Sequence, residues 1–331
     1  MISRRQVVLA LGASTLAVPL SSLAQQQAKV WRIGFLAVLS RSTLSNPDVD
    51  YDAFVKGMRE LGYIEGKNLV IEWRFADGKY ELLPRLAAEL VQMQVQVIVT
   101  HSTPGIRAAQ RATSTVPIVM AAVADPVGSG FAASLVRPGG NITGLSVIGV
   151  DLSPKRLELL NAAIPALSSV AVLVNPGTSF HPTIVKGLQA AGRHAGIKIL
   201  PVDARTPEDI ERAFATMTRE RAAGVLIAPD AFFRGQRQQI ADLAMKNRMP
   251  SMSPYRESVT NGGLMSYGQD IAENFRRAAT LVDKILKGAK PGELPIEQPT
   301  TIHLAINRKT AKVLGLTIPT ELLVRADEVI E

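Results

Sequence analysis

The layout of this chain runs twice. Residues 32–38 (RIGFLAV), 68–78 (NLVIEWRFADG), 95–102 (VQVIVTHS) and 116–123 (VPIVMAAV) are answered in the same order by 169–175 (SVAVLVN), 197–207 (IKILPVDARTP), 223–230 (AGVLIAPD) and 249–253 (MPSMS). Segments of helical periodicity lie between them. A run such as 116–123, apolar and uncharged throughout, reads as a strand buried on both faces. Strands of that kind alternating with helices close as right-handed parallel crossovers. The repeat is one of layout and only loosely of sequence. It predicts an α/β protein of two similar lobes, each with a parallel central sheet covered by helices on both faces.

The length allows this. At 331 residues and 47% hydrophobic, the chain suffices for two cores of roughly 130–150 residues each. Helices are expected over 50–61, 82–93, 104–113, 154–163, 184–194, 207–219, 233–247 and 271–287, with a short helical turn over 131–136. Strands are expected over 263–267 and 301–306, with a proline- and glycine-rich link at 289–295 between them. Lobe one then comprises 29–146 with about 268–300, and lobe two 147–267 with about 301–331. A chain that leaves lobe one near Ser146 and revisits it after Gly268 crosses several times, which makes a multi-strand hinge and not a flexible linker.

Open α/β sheets bind small ligands at the carboxyl ends of their strands. In residues 116–146, one strand ends at Ala124-Asp125-Pro126 and the next at Ser146, so both carry polar residues into one region. By the repeat, the facing loops are Leu39-Ser40, His101-Ser102-Thr103 and Ala124-Asp125 from lobe one, and Asn175-Pro176, Pro229-Asp230 and Ser253-Pro254-Tyr255 from lobe two. Ser102 and Thr103 stand before a helix expected to begin at Pro104. Their hydroxyls and the first helical amides suit a carboxylate, and an ordinary helix cap is the alternative. Asp230 is placed either to receive an ammonium group or to cap the helix expected from Phe233. Asp125 reads first as the brace of its own turn before Pro126. Ser146, Asn175 and Tyr267 occupy strand ends on the cleft side, and Tyr255 offers a flat surface to an aromatic or apolar ligand.

Catalysis finds little support. His101 lies beside a serine, but no G-x-S-x-G elbow is present and His181, His194 and His303 stand in unrelated contexts, so a ligand-facing or strand-end role is expected. No pair of histidines has metal-binding spacing, and no cofactor motif survives inspection. Gly128, Gly130 and Ala133 fit a dinucleotide pattern, but 124–127 separate them from the strand. Asp48, Asp50 and Asp52 resemble the start of a calcium loop, but Ala53 and Arg59 stand where glycine and glutamate are needed, and the acids read as a helix cap. With no cysteine, disulfides, thiolate metal sites and a lipidated cysteine are excluded.

Residues 1–5 form a short basic region, 7–20 an apolar core too short for a permanent membrane span, and Ser22-Leu23-Ala24 a small-residue cleavage pattern. Residues 1–24 are therefore expected to be a signal peptide, by the general or the twin-arginine route, leaving the protein free in a bacterial periplasm. The formal charge of +8 is interspersed, with no basic block, which argues against nucleic acid as a partner.

The run VPIVMAAVADPVGSGFAASLVRPGGNITGLS, with GGLMSYGQD and the terminal INRKTAKVLGLTIPTELLVRADEVI, resembles the tryptophan-binding-protein-like family of ABC transporter solute-binding proteins over nearly the whole chain after the signal. The resemblance implies a type I periplasmic-binding-protein fold, with two Rossmann-like lobes that capture a ligand between them. It implies a small-molecule solute, with an amino acid expected and an aromatic one favoured because some members bind aromatic amino acids, and a permease in the inner membrane as partner. A monomeric, non-catalytic binding protein is expected. A sensor presenting the solute to a receptor shares the same site chemistry, and an exported α/β enzyme would need a nucleophile with a base or a cofactor motif.

Overall fold

The computed structural model describes residues 29–40, 49–148, 152–164, 167–298 and 300–331. The expected signal peptide, Asp48 and Asp151 fall outside them. In the first lobe β1 (Trp31–Ala37), α1 (Val49–Glu60), β2 (Leu69–Phe75), α2 (Leu83–Gln92), β3 (Val97–Thr100), α3 (Ser102–Ala112), β4 (Ile118–Val123) and β5 (Ile142–Ser146) follow one another. The second begins with α4 (Ser153–Ala163), β6 (Ser169–Val174), α5 (His181–Ala195), β7 (Lys198–Asp203), α6 (Pro207–Arg219) and β8 (Val225–Ile227). It continues through α7 (Ala231–Gly235), α8 (Arg237–Lys246), β9 (Ser251–Ser253), α9 (Arg256–Thr260) and β10 (Met265–Gly268). After α10 (Ile271–Leu286) come β11 (His303–Asn307), α11 (Arg308–Val313), α12 (Thr320–Arg325) and β12 (Glu328–Ile330).

Among the described residues, one sheet runs β2-β1-β3-β4-β5 and the other β12-β11-β10-β9-β8-β6-β7. Read from its far edge, the second sheet opens β7-β6-β8-β9-β10, which is the order of the first. The repeat seen in sequence is thus a repeat of sheet topology, extended by a fifth strand in each lobe. All pairings are parallel except β10 with β11. Parallel strands are buried on both faces, and the runs in β3, β4, β5 and β8 are buried at nearly every position.

Helix α10 joins lobe one. Its Phe275, Ala278, Ala279 and Val282 pack into one core with Ile33, Phe35, Phe54 and Val119, and each large apolar side chain buried there contributes about 1.5–3 kcal/mol. The approach to α1 is close enough that a Cβ on Gly57 would lie 2.5 Å from the carbonyl of Arg276. Leu226, Met252, Met265, Leu304 and Ile306 belong to a separate core in lobe two. At Gly144, φ is +151° and a Cβ would lie 2.2 Å from the Met120 carbonyl, so β5 lies against β4 only through glycine.

Among the described residues, the chain leaves lobe one at Ile148 and is in lobe two from Leu152, returns over 268–271, and leaves again beyond Glu297 to re-enter lobe two at His303. The first two of these passages are tied where the Ile148 amide donates to Gln269 Oε1 at 2.8 Å, and the first and third where the Ser146 amide donates to the Glu297 carbonyl at 2.8 Å.

Four expectations about helices change, one of them α5, which begins at His181, three residues before the expected start at Ile184. Residues 131–136 form irregular turns, because Pro138 and the glycines beside it stop a helix before one hydrogen-bonded turn completes. The helix expected over 233–247 begins two residues earlier and breaks at Gln236 into α7 and α8. Helix α3 begins at Ser102, two residues before Pro104.

Candidate functional site

Both sheets point the carboxyl ends of their strands at one cleft, which encloses a cavity of about 630 Å³. That is the size range of small-molecule sites. Lobe one lines it with the ends of β1, β2, β3 and β4 and the start of α1; lobe two answers with the loops after β6, β7, β8 and β9.

At the end of β3, His101 is 8% exposed. The Val38 amide donates to its Nε2 at 3.3 Å, and the Tyr51 hydroxyl stands 3.3 Å from the same nitrogen. An acceptor Nε2 places the proton of the neutral ring on Nδ1. Burial lowers its pKa to about 4, so the ring is uncharged at neutral pH. This excludes an imidazolium as the ligand's counter-charge.

Ser102 and Thr103 open α3. The Ser102 backbone is left-handed at φ +57°, a strained conformation for a residue with a Cβ. No side-chain hydrogen bond caps the helix. Ser102 Oγ and Thr103 Oγ1 are buried with no hydrogen-bond partner in the described structure. Both residues line the cavity. An ordinary cap is therefore not what these hydroxyls form. Two buried donors without partners at the uncapped start of an 11-residue helix offer a seat to an anion.

Asp230 lines the cavity too, but its carboxylate is fully committed. Oδ1 accepts from the Phe232 amide at 2.8 Å and the Phe233 amide at 3.4 Å, capping α7, and from the Tyr80 hydroxyl at 3.5 Å. Oδ2 accepts from Thr178 Oγ1 at 2.6 Å, and Asn175 Nδ2 lies 3.3–3.4 Å from both oxygens. The structure thus gives Asp230 its capping role, and its place as an ammonium receptor is filled by the protein's own donors.

Among the described residues, polar contacts at two places cross the cleft and hold the lobes together, beside apolar contacts such as Tyr80 against the lobe-two core. Tyr80 of lobe one donates to Asp230 of lobe two, and burial, then the Asp230 charge, raise its pKa above the ordinary tyrosine value. Arg234 of α7 forms a fork on Asp50 of α1, with Nη2 at 3.0 Å from Oδ1, while Nη2 also donates to Glu257 at 2.7 Å. Burial, the largest influence, would raise the pKa of Glu257, but the Arg234 charge and hydrogen bond, a backbone amide and the Arg237 charge together outweigh it and hold it below the usual range. Sequence alone reads Asp50 as part of a helix cap; the structure spends it on a cross-lobe ion pair.

Arg156 of α4 also lines the cavity from lobe two. It is 3% exposed, and its Nε donates to the Tyr267 carbonyl at 2.7 Å. Burial lowers its pKa to about 10, which leaves it a cation at neutral pH. Nothing in its sequence context marks it, since it sits in a helix among lysine and leucine. Burial raises the pKa of Tyr255, so its hydroxyl stays protonated beside the ligand space.

Of the ten residues singled out from sequence, Ser40, His101, Ser102, Thr103, Asp230 and Tyr255 line the cleft. Four do not. Asp125 braces its own turn, its Oδ1 accepting from the Gly128 amide at 2.7 Å, and Ala124 faces the cleft in its place. Ser146 is wholly buried, and Val147 lines the wall beside it. Asn175 stands behind Asp230, and Tyr267 packs on the lobe-two core. Among the described residues no group of three His, Asp or Glu could hold a metal, and no helix is long and apolar enough to cross a membrane.

Comparison with known proteins agrees with this geometry. A tyrosine-binding protein of Clostridioides difficile (strain R20291) is 27% identical over 265 residues, 80% of this chain and 75% of that protein. A conserved domain protein of Vibrio cholerae superposes with a TM-score of 0.84 at 28% identity, covering 91% of this chain and 100% of its own. The ABC domain of Streptococcus pneumonia in complex with L-Trp superposes at 0.83 with 25% identity, over the same shares of the two chains. These neighbours share the two-lobed type I periplasmic-binding fold. The profile of the family described as ABC transporter substrate binding protein matches residues 34–330. The chain belongs to that family of ABC transporter substrate-binding proteins.

Proposed function

We propose that the protein captures a small carboxylate with an apolar body between its lobes and hands it to the permease of an ABC importer. It does so as an exported monomer, released from the signal peptide at 1–24, and performs no chemistry on its ligand. Lobe one comprises 29–146 with about 268–300, and lobe two 147–267 with about 301–331.

One observation carries this reading: Ser102 Oγ and Thr103 Oγ1 are buried donors without a partner at the start of a helix that no side chain caps. A carboxylate there receives two hydroxyl bonds and the favourable end of the helix dipole. Phe180, Tyr255 and Phe275 on the cavity wall suit the apolar body. The relatives named for tyrosine and bound to L-Trp carry ligands with both parts. The Arg156 cation adds attraction for an anion. Because the wall comes from both lobes, ligand contacts complete only on closure and so favour the closed arrangement.

A thermal-shift screen of the exported protein against carboxylic acids, amino acids, sugars and nucleosides tests this. A ligand present at about 100 times its dissociation constant adds ~2.7 kcal/mol of stability. The expected result is stabilisation by a carboxylate that mass spectrometry recovers unchanged. Stabilisation by sugars or nucleosides alone, or conversion of the ligand, would refute it.

A further inference from the structure

The charge accounting of the cleft says which carboxylates fit, and this inference rests on the carboxylate reading above. Among the described residues, four acidic side chains line the cavity: Asp50, Asp77, Asp230 and Glu257. Asp50 and Glu257 share the Arg234 guanidinium. Asp230 accepts from two backbone amides, Tyr80, Thr178 and Asn175, which uses its roughly four lone-pair sites. Asp77 is exposed in the turn after β2, where water and salt screen it.

Two nearby carbonyls are engaged as well. The Tyr267 carbonyl takes Arg156 Nε. The Pro229 carbonyl takes His181 Nε2 at 3.0 Å, since His181 Nδ1 accepts from the Asn175 amide and leaves the ring proton on Nε2. On the other side of the account stand the unpartnered hydroxyls of Ser102 and Thr103.

A ligand ammonium entering this cavity loses its hydration and finds no uncommitted buried carboxylate among these residues, which is costly for a charge. A ligand carboxylate finds donors waiting. Arg234 is the pivot, because it brings to Asp50, from the opposite lobe, the cation that an amino-acid ligand would otherwise supply.

We propose that the solute is a monocarboxylic acid with an apolar body and no α-ammonium group, and that Arg234, by occupying Asp50, sets this preference. The preference departs from the ligands named for the relatives above, and the departure comes from the protein's own cation.

The test is calorimetric titration of the exported protein, freed of carried ligand by unfolding and refolding, with matched pairs that differ in the amino group. Suitable pairs are L-phenylalanine with 3-phenylpropanoate, L-tryptophan with indole-3-propanoate, and L-leucine with 4-methylpentanoate. In the pair that fits the cavity, the acid without nitrogen is expected to bind about tenfold tighter or more, equivalent to ~1.4 kcal/mol. Equal or tighter binding of the amino acid overturns the inference and leaves the carboxylate reading standing. Phenethylamine or tryptamine binding as well as the acids, or no binding by any pair, overturns the carboxylate reading and the inference with it. In Arg234→Met, Asp50 is released, and the ratio should move about tenfold toward the amino acid; an unchanged ratio overturns the role of Arg234. The matched pairs on the unaltered protein decide the ligand class whether or not the variant folds.

Discussion

Removing the two hydroxyls at the start of α3 separates a ligand seat from a structural cap by the sign of two effects. In Ser102→Ala with Thr103→Val, the ligand loses two hydrogen bonds to a charged acceptor, each worth about 1.5–3 kcal/mol. Affinity should therefore fall by at least about tenfold for each residue. The ligand-free protein should respond in the opposite direction. Ser102 Oγ and Thr103 Oγ1 are buried with no partner, so their deletion removes a desolvation penalty and breaks no bond. Thr103→Val also conserves volume. The melting temperature without ligand should hold or rise, while the stabilisation produced by ligand shrinks. Urea denaturation with and without solute, together with titration calorimetry, measures both. A ligand-free stability loss of more than about 1 kcal/mol with unchanged affinity is what loss of a helix cap produces, and would refute the reasoning.

Other perturbations report on the frame that holds the seat. Gly57→Ala places a Cβ 2.5 Å from the Arg276 carbonyl, so the α1–α10 contact must widen, and denaturant unfolding should show about 1–3 kcal/mol of lost stability; no loss would mean that α10 is held elsewhere. For His101 the folded pKa is about 4 and the ordinary value is 6.5, so the unfolded chain takes up the proton first. The stability this group contributes is complete above pH 6.5 and is lost as pH falls toward 4, up to about 3 kcal/mol in all. Comparing unfolding of His101→Gln with the unaltered protein at pH 7 and pH 4.5 isolates it, and an unchanged difference between the two pH values contradicts the assignment. Asp125→Ala should cost about 1 kcal/mol of stability through its bond to the Gly128 amide, with ligand affinity unchanged. A marked loss of affinity would restore Asp125 to the cleft.

Much of the fold was legible because parallel strands announce themselves. Segments such as 116–123 are buried on both faces, so their apolar runs are continuous, and the order of four segments in each half anticipated two sheets with the same strand order. The cleft loops followed from the strand ends. Side-chain direction did not follow. Successive residues at a strand end point to opposite sides, so a reading correct to one residue still selects the wrong side chain: Ala124 and Val147 line the cavity where Asp125 and Ser146 were expected.

Long-range pairing was less legible still. Asp50 and Arg234 lie 184 residues apart in the chain, and each has a sufficient local explanation, one as a helix-start acid and the other as a helical arginine. Only closure of the lobes brings them together. Asp230 illustrates the reverse. Both of its candidate roles require a carboxylate at that spot, and only the positions of Thr178, Asn175 and Tyr80 decide between them.

The most direct measurement of the central claim is a crystal structure of the protein with the solute that stabilises it most. The account predicts closed lobes with a ligand carboxylate oxygen within about 3 Å of both Ser102 Oγ and Thr103 Oγ1, and the apolar body between Phe180 and Phe275. A ligand that leaves those two hydroxyls unpartnered, or that presents its charged end to lobe two, would contradict it.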